Sequence, residues 1–142
     1  MKKSLFEILK ECSEGKTVED RVALLHKNGS QALVTLLKYA FDPNIKFLLP
    51  DTDPPYKPTD FLDQENRLYT ELRRLYLFVE GGNPNLSTLK RESLFIQLLE
   101  SIDKNDAVLL CHVKNKKLPF KQLNAKVVAK AFPGLLPEET NE

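Results

Sequence analysis

The lysines near the C-terminal end of the chain are the residues whose type and spacing could do chemistry. The stretch from Lys104 to Lys130 contains seven lysines and one acidic residue, Asp106. Its formal charge is therefore +6, whereas the whole chain carries only +1. Lysine ammonium groups bind the backbone phosphates of DNA, so this segregated charge predicts contact with a polyanion.

Seven residues of this stretch form the predicted interface with duplex DNA. They are Lys114, Lys116, Lys117, Lys121, Asn124, Lys126 and Lys130. Lys126 and Lys130 are four positions apart and point the same way from a helix, and an Asn124 cap leaves backbone N–H groups at an end that favours anions. Such contacts read phosphates rather than bases, so no sequence specificity is expected. A solvated lysine face is the alternative interpretation.

The other reactive side chains do not form a catalytic or metal-binding pattern. The two histidines, His26 and His112, and the two cysteines, Cys12 and Cys111, lack the local spacings of zinc sites. No G-x-S-x-G string and no phosphate-cradling G-x-x-x-x-G-K-[ST] string is present. We therefore predict a protein that is not an enzyme and that needs neither a metal nor a cofactor.

Composition and length indicate one soluble domain in a reducing compartment. The 142 residues are 42% hydrophobic and 29% charged, which is ordinary for a globular protein. The longest apolar run, Ala107 to Cys111, is far short of the roughly 20 residues of a membrane helix. Two cysteines without a CxxC pair favour free thiols and a cytoplasmic location.

Helix start signals recur along the chain and predict the elements that position the lysines. Six residues of cap-forming types each precede an apolar pattern with helical spacing: Ser4, Thr17, Ser30, Ser87, Asp103 and Asn124. No alternation of apolar and polar residues indicates a strand. The predicted fold is all-α, a single compact domain of about seven helices.

Two parts of this helical pattern carry more specific predictions. Residues 60–79 predict the longest helix, about 20 residues or roughly 30 Å. The helices capped by Ser87 and Asp103 are apolar on more than one face and should be central. Leu94, Leu98 and Leu109 are predicted to lie in the core.

The segment 47–58 predicts a loop, because four prolines in nine positions forbid regular hydrogen bonding. A proline-rich loop of this length is either functional or a rigid wrap over the core. The helical domain is predicted to span residues 1–137 around this loop, with an acidic tail at 138–142.

Several short words in the sequence resemble known phage proteins. KKLPFKQ, VVAKAF and FPGLLPEE are similar to the end of the N-terminal α-helical DNA-binding domain of tailed-phage ATP-dependent DNA ligases. ALLHKNGSQALVTLLKYAFDPNIKF is similar to the early part of that domain. The words LRRLY, FVEGGNPNL and LFIQLLES also resemble an uncharacterised small-protein family of tailed phages.

The ligase resemblance implies a DNA-binding module without catalysis. Ligases adenylate a lysine within a K-x-D-G string, and no such string occurs in this chain. The implied protein is a stand-alone, phage-encoded module that holds double-stranded DNA through its phosphates in the host cytoplasm. The alternative is a protein-interaction module that binds or inhibits a host or phage protein. The near-neutral total charge and the acidic segment 51–65 favour that alternative.

Overall fold

The structure is a computed structural model that describes residues 3–52, 54–59 and 67–137. Helices make up the architecture of this part of the chain. The elements are α1 (Leu5–Ser13), α2 (Val18–Lys27), α3 (Gln31–Phe41), α4 (Arg67–Glu71), a 3₁₀ helix (Leu72–Phe78), α5 (Thr88–Ser101), α6 (Lys104–Val113) and α7 (Ala125–Ala131). The described residues contain no strand, only one isolated β-bridge. The prediction of an all-α, single compact domain is confirmed.

All six predicted cap residues begin a helix. In each case the cap side chain accepts a hydrogen bond from a backbone N–H in the first turn. At α1 the carboxylate of Glu7 also accepts from the backbone N–H of Ser4, which completes the capping box. These bonds satisfy N–H groups that have no partner inside the helix, so local sequence alone fixes where the helices start.

One apolar core joins helices from both halves of the chain. The helices α5 and α6 pack against each other, α6 also contacts α1 and α3, and α7 packs on α2. Leu98 and Leu109 are buried as predicted, whereas Leu94 is only half-buried. Two residues of these apolar helices lie outside the core, because Leu89 is 80% exposed and Val108 is 40% exposed.

The prediction of one long helix over 60–79 is wrong in its described part. Residues 60–66 lie outside the described residues, and from Arg67 the chain forms the short α4 and then a 3₁₀ helix. The buried residues of that 3₁₀ helix are Leu72, Leu75 and Phe78. A spacing of three matches the three residues per turn of a 3₁₀ helix, which places all of them on one face.

An extended contact with the preceding loop ends this helix. Phe47 and Val79 form the antiparallel bridge, the N–H of Leu48 donates to the carbonyl of Phe78, and the N–H of Glu80 donates to the carbonyl of Lys46. Val79 adopts an extended conformation in this contact, with φ −114° and ψ 157°, so the 3₁₀ helix ends at Phe78. The described parts of the predicted loop 47–58 contain no helix.

None of the helices among the described residues is long and apolar enough to cross a membrane.

Candidate nucleic-acid interface

Four of the predicted DNA-contacting lysines have exposed side chains. Lys117 and Lys121 lie in the connection between α6 and α7, and Lys126 and Lys130 lie on α7. Within the described residues, no carboxylate lies within ion-pairing distance of any of the four ammonium groups. No acidic residue occurs in the sequence from Ala107 to Pro137. We call these four lysines the lysine face; none of them has a carboxylate partner in the part of the chain that the structure describes.

The helix α7 presents its lysines because its other side is anchored. Val127, Val128 and Ala131 are buried, and the ring of Phe132 stacks on His26 of α2 with centroids 5.6 Å apart. The Asn124 side chain accepts from the N–H of Val127 and is thereby used in the cap.

Lys114 occupies a different environment from the lysine face. It is only 6% exposed, and its Nζ donates to the carbonyl of Pro50 at 2.7 Å and to the Asn115 side chain at 3.2 Å. The Asn115 amide in turn donates to the carbonyl of Asp51 at 3.3 Å. These bonds attach the proline-rich loop to the end of α6. The prediction that Lys114 belongs to the exposed DNA interface is therefore corrected: its side chain is buried and holds the loop.

Lys116 is likewise directed into the protein. Its Nζ donates to the carbonyl of Tyr39 at 2.6 Å and to the carbonyl of Asp42 at 2.8 Å, and it lies 5.7 Å from the centre of the Phe47 ring. Both carbonyls belong to the C-terminal end of α3, where the helix dipole favours a cation. Burial lowers the pKa of the Lys116 ammonium, and the Asp42 carboxylate partly opposes that shift.

The backbone at Lys116 explains why its side chain turns inward. Lys116 has a φ of 64°, the left-handed region that usually favours glycine. The N–H of Lys117 bonds to the carbonyl of His112 and the N–H of Lys116 to that of Val113, which is the Schellman pattern that ends a helix. Lysine stands at the position where glycine is most common, and its side chain supplies the two hydrogen bonds to α3.

A groove that the sequence did not reveal lies beside these two lysines. It has a volume of about 570 Å³ and runs between the end of α3 and the connection from α6 to α7. Its lining includes Lys46, Phe47 and Asp51, which are 63 to 70 positions away from Lys114 and Lys116 in sequence. No local pattern brings these residues together, since only the packing of α3 on α6 does so.

The cysteines and histidines do not gather into one site among the described residues. Cys12 lies on the buried side of α1, and burial raises the pKa of its thiol to about 11, while the Asn28 side chain acts in the opposite direction. Cys111 is half-buried, and His112 bonds through Nδ1 to the carbonyl of Val108. Among the described residues, no three His, Cys, Asp or Glu side chains are grouped in a way that could hold a metal ion.

A protein-family model matches most of the chain. It covers residues 8–120 and represents a family of unknown function, DUF6433. The chain belongs to the DUF6433 family. No curated protein and no solved structure matches it. In this DUF6433 chain, Lys114, Lys116 and Lys117 lie inside the matched region, whereas Lys121 and all of α7 lie beyond it.

Proposed function

We propose that this DUF6433 protein is a non-catalytic module that binds the phosphate backbone of duplex DNA through its lysine face. The observation that carries the proposal is the exposure of Lys117, Lys121, Lys126 and Lys130 in a stretch, Ala107 to Pro137, that contains no acidic residue. Lysine ammonium groups suit phosphate as point charges and carry little base information. Binding is therefore independent of DNA sequence.

The resemblance to the DNA-binding domain of tailed-phage ligases supports the same proposal. Under it, the protein is phage-encoded, acts in the host cytoplasm, and uses a helical scaffold to hold DNA without adenylating itself. Two of the segments that carry this resemblance, KKLPFKQ and VVAKAF, include Lys117, Lys121 and Lys130 of the lysine face.

Binding through this face has a defined salt dependence. Four phosphate contacts release condensed counterions, so the slope of log K against log salt should be about −3 to −4, at roughly −0.9 per phosphate. Fluorescence anisotropy with a labelled duplex at several salt concentrations measures this slope. Absence of binding to nicked and intact duplex at ~50 mM salt, where the phosphate contribution is strong, would remove the proposal.

A charge-matched pair of variants localises the interface. The double change Lys121→Glu and Lys130→Glu should weaken binding about tenfold or more, equally for unrelated duplex sequences, because it reverses two of the four contacts. The control is Lys38→Glu with Lys90→Glu, which changes net charge equally at two exposed lysines outside the face. Equal weakening by both double variants would show that only total charge matters.

The second candidate function is a protein-interaction module that binds or inhibits a host or phage protein. The observation that favours it is Leu89, which is 80% exposed in the first turn of α5. Exposed apolar side chains are common singly, so one residue supports this function less than four lysines support DNA binding. Pull-down of a partner that is lost on Leu89→Ser and unaffected by the lysine-face variant would favour this candidate.

A further inference from the structure

The groove between α3 and the connection from α6 to α7 combines cationic and apolar lining, and neither the sequence motifs nor the lysine face accounts for it. Its volume of about 570 Å³ lies within the range of small-molecule sites, roughly 300–1,000 Å³. Three lysines line it, namely Lys46, which follows α3, and Lys114 and Lys116, which follow α6.

Two of these ammonium groups are held in place and still have donor capacity. An ammonium group has three N–H donors. The Nζ of Lys114 uses two of them on Pro50 and Asn115, and the Nζ of Lys116 uses two on the carbonyls of Tyr39 and Asp42. One donor of each remains for a ligand. The third lysine, Lys46, is exposed and adds a mobile charge at the side of the groove.

The charge balance favours an anion, although modestly. The carboxylate of Asp51 also lines the groove, and Asp42 is buried below it, where its Oδ1 accepts from the N–H of Asn44. Three lysines therefore face two carboxylates. Burial lowers the pKa of the Lys116 ammonium, and the Asp42 carboxylate opposes that shift.

The apolar part of the lining indicates what the anion is attached to. Phe41, Ile45 and Phe47 line the groove and are each half-buried, so they keep apolar surface available. A free inorganic anion would use none of this surface. A phosphate joined to a flat aromatic ring system, whose face packs against apolar side chains, uses both halves of the lining.

We propose that this groove binds a nucleoside monophosphate group, with the phosphate on Lys46, Lys114 and Lys116 and the base beside Phe47. The same group occurs in a free nucleotide and at the 5′-phosphorylated end of a DNA strand. The groove is separate from the lysine face, since neither Lys121 nor Lys130 lines it. The proposal does not rest on duplex binding.

Nuclear magnetic resonance titration of the full chain tests the proposal. At about pH 7.5, where the phosphate is mostly dianionic, dAMP should shift the amide signals of Phe47, Asn115 and Ala125, all of which line the groove. Inorganic phosphate and deoxyadenosine should each bind more weakly than dAMP. Two hexanucleotides, one with and one without a 5′-phosphate, distinguish a DNA strand end from a free nucleotide as the ligand. If both hexanucleotides cause equal shifts, the free nucleotide is the ligand.

Two variants that change the charge of the groove in opposite directions make the test specific. Lys46→Glu should weaken dAMP binding about tenfold, and Asp51→Asn should strengthen it about threefold. Neither side chain makes a hydrogen bond among the described residues, and thermal melting verifies that each variant folds. Lys90→Glu, on α5 and outside the groove, should leave dAMP binding unchanged, as should Lys121→Glu with Lys130→Glu.

Three results would overturn the proposal. The first is the absence of shifts at about 10 mM dAMP, a concentration that detects even millimolar affinity. The second is a set of shifts confined to the lysine face. The third is equal weakening of dAMP binding by Lys46→Glu and Lys90→Glu. If the unmodified protein binds dAMP but not duplex DNA, the proposed function is wrong and the groove assignment is retained.

Discussion

Two adjacent lysines show how far the role of a residue depends on its surroundings. Lys116 and Lys117 are chemically identical and belong to the same basic turn. Lys116 has its ammonium on two carbonyls of α3, whereas Lys117 is exposed. The difference arises from the left-handed φ of 64° at Lys116, which directs its side chain towards α3. Residue type therefore indicates charge, and backbone conformation decides where the charge acts.

The contribution of Lys116 to stability is measurable. Lys116→Met should destabilise the protein by about 1–3 kcal/mol, because the carbonyls of Tyr39 and Asp42 lose their buried donor. Denaturant unfolding followed by circular dichroism gives this free energy. Lys116→Gly should cost less than Lys116→Met, since glycine adopts this φ without strain.

The matched control for Lys116 is its neighbour. Lys117→Met should change stability by less than about 0.5 kcal/mol, as expected for an exposed side chain without such bonds. Equal effects of the two methionine substitutions would contradict the internal role of Lys116.

At the scale of elements, helix beginnings follow local rules and helix interiors follow tertiary packing. Each predicted cap begins a helix because the cap bond involves residues only two or three positions apart. The segment 72–78 has an apolar pattern compatible with an α-helix, yet it forms a 3₁₀ helix. Its bridge to Phe47 is a contact over more than 30 positions, which no local pattern encodes.

The central position of α5 provides a test at this scale. Leu98 is 6% exposed, so Leu98→Ala should cost roughly 2–5 kcal/mol in free energy of unfolding. Leu94 lies one turn earlier on the same helix and is half-buried, so Leu94→Ala should cost less than about 2 kcal/mol. Chemical denaturation of both variants compares them directly. A larger loss at Leu94 than at Leu98 would contradict the deeper burial of Leu98.

At the scale of the whole molecule, a formal charge of +1 conceals a segregated surface. The four lysines belong to a stretch, Ala107 to Pro137, that contains no acidic residue, so the acidic residues are concentrated elsewhere in the sequence. A polyanion responds to local potential rather than to total charge, so near-neutrality is compatible with the proposed DNA binding. The expected consequence is binding that is strong at low salt and weak at high salt.

The whole chain is also expected to be unable to adenylate itself. Because no K-x-D-G lysine is present, incubation with labelled ATP and Mg²⁺ should leave no covalent label on the protein after denaturing electrophoresis. A labelled adduct that disappears when one lysine is replaced would contradict the prediction that the protein is not an enzyme. Weak reversible occupancy of the groove would not survive denaturation, so the two outcomes are distinguishable.

The sequence by itself determined the fold class, the six helix starts and the positions of the buried leucines Leu98 and Leu109. These features depend on hydrogen bonds between near neighbours and on apolar spacing, both of which are local. The sequence also located the positive charge, because charge belongs to residue type.

Only the tertiary structure decided which lysines are exposed and which are held against distant carbonyls. Lys114 and Lys116 bond to carbonyls that lie 64 to 77 positions away along the chain, and the groove arises from the same packing. A carbonyl is present at every residue, so no sequence pattern marks the ones that a distant ammonium group will reach. Within one basic stretch, long-range packing thus placed Lys114 and Lys116 against distant carbonyls and left the lysine face exposed.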